Sequence, residues 1–196
     1  MTAAFDALVL AGGAARRLDG ADKPAQLVGT ATLLSRVLAA VADACTIVVV
    51  GPPRADLPVG VLSCVEDPPG GGPVAAIAAG LAFVDAQTVA VLAADLPDIA
   101  PAVHVLLAAI GDADVAALTD RDGRLNYLAA TWRTAALRRA VAAVGEPHGA
   151  SMRRLLSSAT MVQVPDPDGW GRDCDTWDDL AAARRASAVD EPGGHT

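Results

Sequence analysis

With 196 residues, 53% of them hydrophobic, the chain has the size of one domain and enough apolar material for a buried core. Its mean hydropathy of +0.37 would suit a membrane protein, yet charge, Pro or Gly interrupts every apolar stretch before the roughly 18 residues a span needs, so no membrane partner is expected. A formal net charge of −8 argues against a broad nucleic-acid surface, whose affinity comes from neutralising phosphates; an anionic small molecule would need a local basic pocket.

The start, MTAAFDALVLAGG, has neither the basic n-region nor the small-residue cleavage site of a secretory signal. Cys45, Cys64 and Cys174 are too widely spaced for a disulfide framework or a CxxC zinc site, and read as packing thiols in a reducing, cytoplasmic setting.

Taken in chain order, Phe5 to Leu10 is a short apolar run that stops at glycines, the pattern of a central strand. A long loop is expected next, then a helix over Thr32 to Ala42 with Leu33, Leu34, Val37, Leu38 and Val41 at helical spacing. Thr46 to Val50 and Val61 to Val65 read as buried strands, the second leading through a Pro/Gly-rich loop into an Ala-rich helix over Val74 to Phe83. The strand Thr88 to Ala93, the helix Ala102 to Ile110, the strands Asp114 to Leu118 and Leu125 to Thr131 and the helix Thr134 to Val144 continue the alternation. A short helix (Ser151 to Leu156), a strand (Thr160 to Val164) and a last helix from Thr176 to about Arg185 complete it. The fold class expected is α/β: a single Rossmann-like domain over residues 1–186, its sheet mostly parallel and flanked by helices, with ligands at the carboxyl ends of the strands. The polar tail, 187–196, has no apolar period and is expected to lack ordered structure.

The residues that look like chemistry fall in loops. After the first strand, LAGGAARRLDGADKP places Gly12 and Gly13, which let backbone amides approach a ligand, beside Arg16, Arg17 and Lys23 in an otherwise acidic chain. Amides and cations aimed at phosphate suit nucleotidyl transfer, where the protein positions the phosphates and neutralises developing charge; a glycine turn with a solvated basic loop is the bland alternative. Neither GxGxxG nor GxxxxGK[ST] occurs, which weakens dinucleotide-binding and P-loop readings. Asp95 directly follows an apolar strand and so lies at the sheet's carboxyl edge, where one or two carboxylates would hold a triphosphate-bound Mg²⁺; a helix-start carboxylate is the other reading, with Asp98 as competitor. Glu66-Asp67-Pro68-Pro69-Gly70-Gly71-Gly72-Pro73 precedes a helix, and its glycines and free helix-start N–H groups suit a nucleobase or ribose, or simply a turn. Asp173 and Asp175 stand before the last helix, either as metal or acceptor ligands or as its cap.

These segments resemble the molybdenum cofactor guanylyltransferases, a MobA-like nucleotidyltransferase family within the wider fold of the nucleotide-diphospho-sugar transferases. Leu10, Ala11, Gly12, Gly13, Arg17, Gly20, Asp22 and Lys23 match the family signature LAGGxxxRxxGxDK, and Asp95-Leu96-Pro97 its D-x-P. The resemblance implies transfer of GMP from GTP to molybdopterin with release of pyrophosphate. It gives catalytic roles to Arg17, Lys23 and Asp95, with Asp95 as the Mg²⁺ ligand, and nucleotide contacts to Leu10, Ala11, Gly12, Gly13, Lys23, Asp67, Gly72 and Asp95. Gly72-Pro73-Val74-Ala75 stands where the family has GPLAG, with Ala75-Ala76 in place of its AG. Arg124 and Asn126 would meet the acceptor, and Arg153 and Arg154 are weaker candidates for it. Molybdoenzymes or other cofactor-biosynthesis proteins would be partners. Rival readings keep the chemistry with another base or acceptor, or make the chain a non-catalytic cofactor-delivery module.

Overall fold

The computed structural model describes residues 4–12 and 22–190, the last three as backbone only. Strand β1 (Phe5–Leu10) is buried at all six positions, as a strand covered on both faces must be. It pairs in parallel with β4 (Ile47–Val50) on one side and β6 (Thr88–Ala93) on the other, and β4 pairs in parallel with β5 (Leu62–Cys64). Beyond β6 lie β8 (Leu125–Arg133), antiparallel to both its neighbours, then β7 (Val115–Thr119) and β9 (Met161–Pro165), which are parallel to each other. The order β5-β4-β1-β6-β8-β7-β9 gives the mostly parallel sheet expected, with β8 reversed because it returns directly from β7.

Side-chain alternation along β1 sorts the core into two layers. Phe5, Ala7 and Val9 pack with α1 (Leu33–Ala40) and α3 (Ala100–Ala109), whereas Leu8 and Leu10 pack with α2 (Pro73–Gly80), α4 (Thr134–Val144) and α5 (Met152–Leu155). Gly80 on α2 lies so close to the sheet that a Cβ there would stand 2.9 Å from both Leu8 and Val50.

Two elements depart from the sequence reading. The stretch after β1, expected as loop, contains a 3₁₀ turn (Lys23–Ala25) and a hairpin of two-residue strands, β2 (Leu27–Val28) and β3 (Ala31–Thr32), joined through Gly29 at φ +63°. Strands this short carry no readable alternation. The last helix, α6 (Trp177–Asp190), runs past its expected end at Arg185. It covers the hairpin: Val28, Leu33, Cys174 and Leu180 form a small buried cluster, and Arg184 Nε donates to Leu27 O at 2.8 Å. A capping box closes the helix start, with Thr176 N donating to Asp179 Oδ2 and Asp179 N to Thr176 Oγ1. No helix among the described residues is long and apolar enough to cross a membrane.

At the opposite end of the sheet from the strands' carboxyl edge, Asp6 is 1% exposed. Its carboxylate accepts from Thr46 N at 3.0 Å, Asp85 N at 2.7 Å and Ala86 N at 2.8 Å, tying the starts of β1, β4 and β6 together. Asp6→Ala would strand those amides in the interior and should lower the unfolding free energy by about 2–4 kcal/mol in urea titration. At the other sheet edge Asp114 Oδ2 accepts from Thr160 N and Thr160 Oγ1, both at 2.9 Å, which pins β9 to β7. The Thr160 hydrogen bonds, then the Arg139 and Arg133 charges, hold the Asp114 carboxyl below its ordinary value of 3.8. A depressed carboxyl stabilises the fold above the unfolded value, and that contribution is lost as pH falls through the folded one. Asp114→Asn should therefore cost about 1 kcal/mol at pH 7, and its melting curve should converge on that of the unsubstituted protein below pH 3.8.

Candidate functional site

The carboxyl ends of β1, β4 and β6 lie side by side, because Leu10 is in register with both Val50 and Ala93. Ala11 N donates to Val50 O at 2.8 Å and Ala94 N to Leu10 O at 3.0 Å, so Ala11-Gly12 and Ala94-Asp95 leave the sheet as neighbours. The backbone of Gly51, directly after β4, packs against theirs. A Cβ on Gly51, whose φ is +155°, would fall 2.7 Å from Ala11 C and Gly12 N, so the position demands glycine. Among the described residues, a Cβ on Gly12 would meet nothing closer than the Gly51 backbone at 3.6 Å.

Lys23 stands at the start of the 3₁₀ turn and reaches back to this edge. Its ammonium donates to Asp95 Oδ2, and to Asp175 Oδ1 at 2.6 Å. Cys174 N donates to Asp95 O at 3.1 Å, which holds the loop before α6 against the end of β6. Three segments far apart in sequence thus meet on one cation. Burial acts most strongly on Lys23 and lowers its pKa, but the hydrogen bonds and charges of Asp175 and Asp95 together outweigh it and raise the value above the ordinary 10.5. Burial, then the neighbouring Asp175 and Asp95 charges, pushes the Asp173 carboxyl upward. Burial, with Asp95 beside it, drives the Cys174 thiol up to about 11.

Beside this cluster opens a cleft of about 700 Å³ between β8, the loop joining β7 to β8, and the loop after β9. Asp95, Asp173 and Asp175 line one end, and Arg121, Arg124 and Arg172 supply cations elsewhere along it. The loop after β9 is built on Asp166, buried, whose carboxylate accepts from Gly169 N, Trp170 N and Gly171 N at 2.8, 2.9 and 2.7 Å. Asn126 lines the cleft too, but both ends of its amide are committed: Nδ2 donates to Gly171 O at 2.7 Å and Oδ1 accepts from Leu128 N at 2.9 Å. It braces the loop and keeps one N–H and one oxygen lone pair beyond these two bonds. A Cβ on Gly171 would stand 2.9 Å from Leu118 and 3.5 Å from Asn126 Nδ2, so this brace is closely packed.

The residues singled out from sequence divide accordingly. Leu10, Ala11, Gly12, Lys23, Asp95, Asp173 and Asp175 gather at one edge, while Gly13, Arg16, Arg17 and Gly20 lie outside the described residues. Asp98, the competitor of Asp95, is exposed and pairs with Arg36 at 3.2 Å, away from the cleft. Asp67 is exposed on the loop after β5, and Gly72, at φ +86°, caps α2. There Glu66 Oε1 accepts from Gly70 N, and Gly149 N donates to Gly71 O at 2.8 Å. Arg153 and Arg154 sit on α5 outside the cleft lining, Arg154 bonding Val144 O. Gly51, Asp166, Arg121 and Arg172 were not singled out. Gly51 directly follows a strand, and Asp166 and Arg172 lie between the last strand and the last helix, where no apolar period marks a residue out.

Among the described residues no group of three or more His, Cys, Asp or Glu side chains is arranged to hold a metal ion. One carboxylate oxygen, Asp95 Oδ1, is nevertheless buried without a hydrogen-bond partner, while its other oxygen and Asp175 already converge on a cation, the Lys23 ammonium. That donor set fits a hard ion such as Mg²⁺ that takes one or two carboxylates and completes its shell with phosphate and water, not one caged by protein.

Comparison with known proteins agrees with this geometry. Residues 7–164 match the MobA-like NTP transferase domain. A molybdenum cofactor guanylyltransferase of Bradyrhizobium sp. (strain ORS 278) is 39% identical over 105 residues, 49% of this chain, which spans half the length of that relative. A probable molybdenum cofactor guanylyltransferase of Chloroflexus aggregans (strain MD-66 / DSM 9485) is 32% identical over 171 residues, 82% of this chain and 78% of that protein. The crystal structure of the Mycobacterium sp. strain JC1 homologue of Mycobacterium tuberculosis Rv0371c shares the fold, with a TM-score of 0.76 at 24% identity, covering 95% of this chain and 98% of that one. With the family's domain matched from β1 to β9, the chain belongs to the MobA-like NTP transferase domain family and is a nucleotidyltransferase.

Proposed function

We propose that the protein transfers GMP from GTP to molybdopterin, releasing pyrophosphate and forming the guanine dinucleotide form of the cofactor. The observation that carries the reading is the Lys23 ammonium held between Asp95 and Asp175 at the sheet's carboxyl edge, beside a cleft with room for an acceptor. The named guanylyltransferase relatives support the choice of base and acceptor.

In this reading an oxygen of the acceptor's terminal phosphate attacks the α-phosphorus of GTP, the bond from that phosphorus to the bridging oxygen breaks, and pyrophosphate leaves with the electron pair. The phosphate nucleophile is already anionic near neutral pH, so no residue need act as general base. Lys23 is pinned as a cation by two carboxylates and carries its charge into the site without reorganisation when negative charge builds on the departing pyrophosphate. Arg17 joins it in that role. Asp95 would hold a Mg²⁺ ion through the oxygen that has no partner in the fold, and the ion would supply neutralisation of phosphate charge. Leu10, Ala11, Gly12 and Gly13 bring backbone to the phosphates, and Asp67 and the Gly72 turn face the nucleoside. Arg121, Arg124 and Arg172 attract the anionic acceptor into the cleft and offset the acidic groups at its inner end. The setting is cytoplasmic, and a molybdoenzyme or another cofactor-biosynthesis protein takes the product.

A panel of the four nucleoside triphosphates with Mg²⁺ and molybdopterin, scored for pyrophosphate and dinucleotide product, should show turnover with GTP at least about tenfold above the others, the discrimination that one or two lost base contacts provide. Greater turnover with CTP or ATP would remove the guanylyl reading, and no pyrophosphate with any phosphorylated acceptor would leave a binding module. Asp95→Asn should cut kcat by at least about 10²-fold while the melting temperature stays within a few degrees, since the amide keeps the shape and Lys23 keeps Asp175. An unchanged rate would take Asp95 out of the metal site.

A further inference from the structure

The segment after β4, Gly51-Pro52-Pro53-Arg54, meets the connection from β1 to Lys23 twice. At its near end the Gly51 backbone lies against Ala11 and Gly12 so closely that no Cβ fits. At its far end Arg54 Nη1 and Nη2 donate to Asp22 Oδ2 and Oδ1 at 2.9 and 2.6 Å, a two-pronged pair on the residue directly before Lys23. Between these contacts lie two prolines, whose fixed φ limits how far one contact can drift from the other.

The Arg54 side chain is only 8% exposed, and its Nε is buried with no hydrogen-bond partner. A guanidinium that far out of water with an unused donor is a poor stabilising choice; an apolar side chain of similar volume would fill the space at lower cost. What it achieves is geometric. The rigid fork fixes both oxygens of Asp22, and Asp22 O in turn accepts from Ala25 N at 3.1 Å and Gln26 Nε2 at 3.2 Å, setting the turn from which Lys23 extends.

We propose that Arg54 is a positioning residue for the nucleotide site: it clamps Asp22 and, together with the Gly51 contact on Gly12, fixes both ends of the basic connection so that Lys23 meets the triphosphate in one geometry. The assignment rests on the nucleotidyl-transfer reading for its effect on substrate, but not for its effect on the turn, and the test separates the two. In the protein alone, Arg54→Gln should make the backbone amides of Ala25 and Gln26 exchange with deuterium at least tenfold faster, with the Ala94 amide, bonded to Leu10 O, unchanged. In steady state the same variant should raise the KM for GTP about tenfold and leave the acceptor KM within twofold; Arg54→Lys, which keeps the charge and loses the fork, should fall between. Arg54→Gln combined with Asp22→Asn should be no worse than the worse single variant. Unaltered exchange at Ala25 and Gln26, equal rises in both KM values, or additive losses in the double variant would each overturn the assignment. Faster exchange in Arg54→Gln, with no nucleotide bound or turned over by the unsubstituted protein, would instead refute the nucleotidyl-transfer reading and leave the clamp standing.

Discussion

The arrangement of this molecule turns on one half-buried cation. Lys23 belongs to the amino-terminal connection, Asp95 to the end of a central strand and Asp175 to the approach of the last helix, and their side chains meet at one point. Because Lys23 is shared between two carboxylates, loss of either one leaves the ammonium a partner, whereas loss of Lys23 itself would leave two carboxylates facing each other. The packing around it supports the meeting: α6 lies over the β2-β3 hairpin through Val28, Leu33, Cys174 and Leu180 and so holds the segments that carry Lys23 and Asp175 side by side. The same cluster that ties the fold together is therefore the one from which phosphate chemistry is expected, and a divalent ion arriving there would compete with Lys23 for the carboxylates.

A second constraint comes from the reversed strand β8. Because it returns from β7 and inserts between β6 and β7, the sheet gains width on the side of Asp95, and the loops after β7 and β9 rise together beside it. The cleft is the space between them. Its loop walls are held by polar groups acting on backbone, Asp166 on three consecutive amides and Asn126 on Gly171, so the shape is set before any ligand enters. Arg121 shares in this, since its guanidinium donates through Nε and Nη2 to Pro167 O in the loop after β9.

Much of this was legible in the sequence, and for identifiable reasons. Buried strands and amphipathic helices declare themselves through apolar runs and periodicity, which is why the helix and strand alternation, the central place of Phe5–Leu10 and the edge position of Asp95 could all be read directly. The meeting of Lys23 with Asp175 could not, because nothing local to either residue encodes a separation of 152 positions. The β2-β3 hairpin was invisible for want of length, and Gly51 looked like a turn glycine although its actual constraint is the backbone of another strand. Asn126 was read as an acceptor contact through the family resemblance; the structure adds that its amide also braces the loop after β9, a link that no local pattern encodes.

Cys174 illustrates what burial, with the acidic groups of the Lys23 cluster beside it, does to a bystander. With its thiol near 11, roughly one molecule in ten thousand carries the thiolate at pH 7. Oxidants and alkylating agents act on that thiolate, so the sulfur closest to the phosphate chemistry is also the one shielded from them. Cys45, exposed on the far side of β1's start, is the natural handle for a fluorophore, and a label there would report on the protein without disturbing the edge where Asp95 and Lys23 meet.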